Sequence, residues 1–128
     1  MKTNKEVGFW GEEIAAAYLI RKGYSIVDRN FYTLEGEIDL IALRKENEEQ
    51  VLIFVEVKTR TSEKFGYPEE AISQKKWNHI LKAMDRYLLD QPDYDDWQVD
   101  VIAIQQLNKD ETPDIVHFEN VVMNHDRE

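Results

Sequence analysis

The run Val51-Leu52-Ile53-Phe54-Val55-Glu56-Val57-Lys58 constrains the fold more than any other stretch. Side chains alternate along a strand, so Leu52, Phe54, Glu56 and Lys58 share one face while Ile53, Val55 and Val57 take the other. Both faces are apolar until Glu56. Such a strand is central and covered on both sides, which calls for a layered α/β arrangement. It ends in an acid and a base two residues apart. Burying an ionised carboxylate there is costly unless something pairs with it.

The rest of the chain supplies the layers. Residues from about Asn4 to Lys22 read as a helix stopped by Gly23, with Val7, Trp10, Ile14, Ala17 and Tyr18 on one arc. Gly8, Gly11, Ala15 and Leu19 extend that arc and let the backbone approach a sheet closely. Strands are expected at Tyr24 to Phe31, Gly36 to Leu43 and Val51 to Thr59, the last two joined by a polar loop over residues 44–50. A second helix is expected from Pro68 to about Leu89, with Pro68 in its first turn. A strand at Val99 to Ile104 follows, and a further one at Ile115 to Phe118. The second helix can carry a crossover to a parallel strand. The predicted fold is therefore α/β, a mixed sheet of four to five strands flanked by helices, in the order helix-strand-strand-strand-helix-strand.

The 128 residues suit one domain, with a core over about 4–105 and an acidic C-terminal extension over about 106–128. There are no cysteines, which excludes disulfides and thiolate metal sites. No apolar run approaches the ~20 residues of a membrane helix. The N-terminus lacks the apolar segment of a secretion signal, so a cytoplasmic protein with no membrane partner is expected. Net charge is -10, which argues against a protein that coats nucleic acid electrostatically. The acidity is uneven. Residues 1–84 hold 13 Lys/Arg against 14 Asp/Glu, whereas residues 85–128 hold 3 against 12. A polyanion-binding face belongs to the first two-thirds.

Centring the hairpin near Asn47 sets Asp39 opposite Val55 or Glu56, give or take a residue or two. Opposed side chains in antiparallel strands have Cβ atoms about 5 Å apart. Two carboxylates that close need a shared proton, a cationic side chain or a metal ion. Lys58 lies on the Glu56 face about 7 Å along the strand. A hard divalent cation such as Mg²⁺ suits the oxygen donors. The residues leave two readings open, a metal site and a buried Lys–Glu–Asp salt-bridge cluster.

The spacing Asp39, sixteen residues, Glu56-Val57-Lys58 resembles the PD-(D/E)xK nuclease superfamily, the restriction-endonuclease-like fold. Gly11-Glu12, Gly23-Tyr24, Arg29-Asn30, Gly36-Glu37-Ile38-Asp39-Leu40-Ile41-Ala42, Phe54 to Arg60 and Asp100-Val101-Ile102-Ala103 are similar, as an ordered series, to the YraN-like family. Its members are small bacterial proteins of uncertain function, similar to archaeal Holliday-junction resolvases. The resemblance implies that Asp39 and Glu56 bind Mg²⁺ or Mn²⁺ with the Val57 carbonyl as a third oxygen. It implies that Lys58 acts on the attacking water, that Glu12 is an accessory carboxylate and that Gln74 is a polar helper on the second helix. It implies a metal-dependent endonuclease on DNA, branched DNA included, working as a two-fold homodimer. The rival reading is a catalytically inactive module that keeps the fold and binds nucleic acid or protein.

Arg29, Arg60, Lys64 and Lys75 are candidates for phosphate-backbone contact, each equally readable as surface charge. Lys76 projects into the apolar arc of the second helix, where it snorkels or meets a phosphate. Glu37 reads as an exposed strand-end acid, and Asp100 as a structural acid paired with Arg29 or Arg60. His79, His117 and His125 have no zinc-site spacing.

Overall fold

The computed structural model describes residues 3–60, 72–90, 94–108 and 110–122. Helix α1 spans Asn4–Arg21, followed by strands β1 Ser25–Tyr32, β2 Glu37–Glu46 and β3 Glu49–Arg60. Helix α2 spans Gln74–Leu89, and strands β4 Asp96–Gln105 and β5 Asp114–Phe118 complete the chain. The five strands form one sheet in the order β1-β2-β3-β4-β5. All neighbours are antiparallel except β3 and β4, which run parallel with α2 between them in the chain. This is the expected α/β class, a five-stranded mixed sheet flanked by helices, consistent with the restriction-endonuclease-like fold.

Local chemistry sets the helix ends. Thr3 and Glu6 form a capping box, each side chain bonding the other's backbone N–H at 3.1 and 2.8 Å. The C-terminus of α1 is a Schellman motif: Tyr24 N–H bonds Leu19 C=O, Gly23 N–H bonds Ile20 C=O, and Gly23 takes φ +97°. Helix α2 starts at Gln74 because Ser73 is extended and its Oγ accepts from Lys76 N–H at 3.1 Å. That is later than the Pro68 start expected from sequence, and Pro68 lies outside the described residues.

The buried arc of α1 differs from the predicted one. Gly11, Ala15, Ala16 and Leu19 are buried, whereas Ala17 is exposed and Trp10, Ile14 and Tyr18 sit at the margins. The helix rests on its small residues. A Cβ on Gly11 would overlap the Thr59 side chain, so glycine sets the approach of α1 to β3. The hairpin between β2 and β3 is tighter than the polar loop predicted over residues 44–50. Both strands continue to a two-residue tip, Asn47-Glu48, with φ of +49° and +76°. Polar residues beyond the core still complete the backbone ladder, which composition alone does not reveal.

Strand β3 is covered on both faces, as its apolar run demands. Val51, Ile53, Val55 and Val57 pack towards α1, while Leu52 and Phe54 pack towards α2 with Ile72, Trp77, Ile80, Met84 and Tyr87. Burying each such side chain stabilises by roughly 1.5–3 kcal/mol.

On the α1 side, Asp100 is fully buried and organises a polar cluster. Its Oδ2 lies 2.7 Å from His117 Nε2, and its Oδ1 accepts from Gln98 Nε2 and Asn120 N–H, each at 2.9 Å. Because a carboxylate only accepts, Nε2 carries a proton, and the ring's Nδ1 lies 3.1 Å from Tyr18 Oη. The partners expected for Asp100 are corrected by this network: Arg29 pairs with Glu13, and Arg60 bonds the Thr59 carbonyl.

Candidate metal centre

Three strands bring polar residues into one row. The β2–β3 ladder ends at Leu40 opposite Val55, so the next step aligns Asp39 with Glu56. On the other side, β1 pairs Arg29 with Leu40 and Phe31 with Ile38, which leaves Asn30 beside Asp39. Strict alternation breaks near here: Ile38 and Ile41, three residues apart, both pack on the α2 side. The irregularity turns Asp39 inwards at the end of the sheet. Its Oδ2 accepts from the Val57 N–H at 2.8 Å, which locks the side chain against β3.

Helix α1 closes the group from above. One carboxylate oxygen from each of Glu12, Glu37 and Asp39 lies within 4.8 Å of the others. Asn30, with φ +51°, faces them. With its amide nitrogen turned inwards, it donates to Glu37 Oε2 at 3.0 Å and Glu12 Oε1 at 3.1 Å. Glu37 is half-buried within this group rather than the exposed strand-end acid predicted.

Glu56, only 4% exposed, stands beside Asp39. Its Oε2 has two cations within reach, Lys76 Nζ at 3.5 Å and Lys58 Nζ at 3.8 Å. Its Oε1 is buried without a hydrogen-bond partner. Among the described residues no ion pair reaches Glu12, Glu37 or Asp39. Four acids thus meet two ammonium groups, and both ammoniums address the same oxygen.

Ionisation responds accordingly. Desolvation, with Asp39 and Glu37 nearby, pushes the Glu12 carboxyl up to about 7. Desolvation followed by the Glu56 charge raises Asp39, against the Val57 N–H. Burial raises Glu56 despite Lys76 and Lys58. Protons hold this group together where positive charge falls short. An all-oxygen set with an orphaned buried carboxylate oxygen fits a hard divalent cation such as Mg²⁺ or Mn²⁺.

Of the residues named from sequence, Glu12, Asp39, Glu56 and Lys58 converge, and Val57 joins them through its N–H. Lys76 also reaches the group, its ammonium paired with Glu56 while the side chain stays partly exposed. Gln74 lies on the exposed first turn of α2 and donates to Asn78 Oδ1 at 3.2 Å. Lys75 is exposed near it. Arg29 is tied to Glu13 on α1, Arg60 lies half-buried at the end of β3, and Lys64 lies outside the described residues. Asn30 was missed as a site residue. Asn is among the few residues that tolerate positive φ, but nothing in the pattern marks that Asn30 adopts it.

The family model described as "Uncharacterised protein family UPF0102" matches residues 11–104, which include every residue of this centre. The UPF0102 protein of Syntrophomonas wolfei is 46% identical over 102 residues, covering 79% of this chain and 85% of the relative. That of Alkaliphilus oremlandii is 43% identical over 120 residues, covering 91% and 97%. That of Caldanaerobacter subterraneus is 51% identical over 88 residues, covering 68% and 69%. With the YraN-like motif series in place and a family model matched across most of its length, this chain belongs to the uncharacterised protein family UPF0102.

Proposed function

We propose that the protein is a metal-dependent phosphodiesterase acting on DNA, branched DNA included. The observation that carries this reading is the charge deficit: four convergent carboxylates, two ammonium groups on one oxygen, and Glu56 Oε1 buried without a partner. Asp39 and Glu56 would hold Mg²⁺ or Mn²⁺, with Glu12 and Glu37 completing an oxygen-rich rim. A cation bound there supplies Lewis-acid polarisation of a phosphoryl oxygen.

The chain's own groups do the rest. The Val57 N–H fixes the Asp39 oxygen, so that carboxylate is already oriented before substrate arrives. The Asn30 amide holds Glu12 and Glu37 side by side against their mutual repulsion. Lys58, a quarter exposed beside Glu56, faces the open side. There its ammonium can orient the attacking water or stabilise charge developing on the phosphorus oxygens.

Cleavage of junction, flap and linear DNA with Mn²⁺ or Mg²⁺ tests the proposal. Asp39→Ala, Glu56→Ala and Lys58→Ala should each slow cleavage by about a hundredfold or more. Wild-type protein that takes up Mn²⁺ and cuts none of these substrates would remove the hydrolase reading in favour of a binding module. The net charge of -10 favours that rival.

A further inference from the structure

We infer that the outward face of α2 is the track on which duplex DNA lies as it leaves the carboxylate centre. The inference rests on the proposed DNA substrate and sets Lys75, one of the basic residues named from sequence, within one surface. Lys75, His79, Lys82 and Arg86 recur at i, i+4, i+7 and i+11. At 100° per residue they fall within roughly 60° of one another. Lys75, Lys82 and Arg86 are exposed and His79 is half-buried. The stripe runs about 16 Å along the helix, close to five base-pair rises.

Three observations give the stripe weight. Lys75, Lys82 and Arg86 have no ion-pair partner among the described residues. Four other basic residues are engaged by acids, Arg29 by Glu13, Arg44 by Glu46 and Glu119, Lys58 and Lys76 by Glu56, and the exposed Lys5, Arg21 and Lys45 are not gathered on one face. In a chain of 26 acids, α2 carries four Lys/Arg against one acid, Asp85, which projects at least roughly 60° outside the stripe. The stripe also starts at the centre. Lys76 of the first turn reaches Glu56, and His79 packs on Gly36, the residue before Glu37, so closely that a Cβ there would sit 2.9 Å from it.

An acidic centre repels a phosphate backbone, so substrate must be held by cations outside it and nearby. Cations on one helix face that meet phosphates release the counterions condensed on the DNA, which makes the contact salt-dependent. His79 can add a hydrogen bond.

The experiment is fluorescence anisotropy of a short labelled DNA duplex titrated with protein in EDTA over a series of salt concentrations. Lys75→Gln/Lys82→Gln/Arg86→Gln is compared with wild type and with Lys5→Gln/Arg21→Gln/Lys45→Gln, which removes equal charge from other exposed positions. Circular dichroism confirms that each folds. The stripe variant should bind about tenfold weaker or worse, and its salt slope should be shallower by roughly two to three. The control variant should keep the wild-type slope. Equal loss in both variants, no loss in the stripe variant, or no duplex binding by wild type overturns the inference. Asp39→Ala separates it from the proposed activity, because that change removes a repelling acid and leaves the slope intact. DNA bound through the stripe but never cut leaves the track standing and removes hydrolysis. Cutting that persists undiminished in the stripe variant does the opposite.

Discussion

Glu56 presents two chemically different oxygens, one near two lysines and one buried without a hydrogen-bond partner. Leaving a buried acceptor unsatisfied costs about 1–3 kcal/mol. Glu56→Gln should therefore make the metal-free protein more stable, by about 0.5–2 kcal/mol, while removing its stabilisation by Mn²⁺. Urea denaturation in EDTA and in Mn²⁺ reads both, and a variant less stable than wild type in EDTA would contradict the argument. The carboxyls also predict a pH dependence. Glu12 keeps its proton up to about 7 in the folded chain against 4.5 for the free side chain. Between those values the folded state binds more protons than the unfolded one, so stability falls as pH rises. The melting temperature in EDTA should drop from pH 5 to pH 8, and Mn²⁺ should flatten that drop because it displaces the protons. A flat or rising profile in EDTA would exclude the raised carboxyl. At this scale Asp39, Glu56 and Lys58 were legible, because alternation and a hairpin centre suffice to bring them together. Glu37 and Asn30 were not. Their inward placement depends on a break in alternation between Ile38 and Ile41 and on a left-handed backbone at Asn30, neither of which leaves a periodic trace.

Elements were easier to read than their contact faces. The order of helices and strands follows from apolar period and punctuation, and the double burial of β3 follows from its unbroken apolar run. The face that α1 presents did not follow, because its closest approach is made by Gly11, Ala15 and Ala16, residues that a hydrophobic projection weights weakly. Gly11→Ala tests this directly. A methyl group there meets Thr59 within the ridge between α1 and β3, and overpacking of this kind costs about 1–3 kcal/mol. Chemical denaturation should show that loss, and Gly11→Ala/Thr59→Ser should recover part of it. An unchanged midpoint for Gly11→Ala would mean that α1 lifts away freely.

For the molecule as a whole, Asp100 ties distant parts of the chain together. One carboxylate collects β5 through His117, the segment after β5 through Asn120 N–H, and α1 through His117 and Tyr18. Asp100→Ala would strand several buried donors at once and should cost about 3 kcal/mol. Hydrogen exchange should then rise first over residues 114–118, and exchange that stays unchanged there would mean β5 is held by its ladder alone. The sequence showed Asp100 as structural but not its partners, since the pairing joins residues that no short-range pattern relates. Composition did anticipate the uneven charge, although it did not show that Lys75, Lys82 and Arg86 line up on one face of α2.

The hairpin tip at Asn47-Glu48 begins eight residues from Asp39, about 27 Å away along β2. It nevertheless decides which residue of β3 stands beside that acid. A slip of one place would send Asp39 towards a neighbour of the opposite face and dismantle the centre while leaving the sheet whole. A longer hairpin would keep the centre only if residues were added in matched pairs, one per arm, or bulged outwards from the tip.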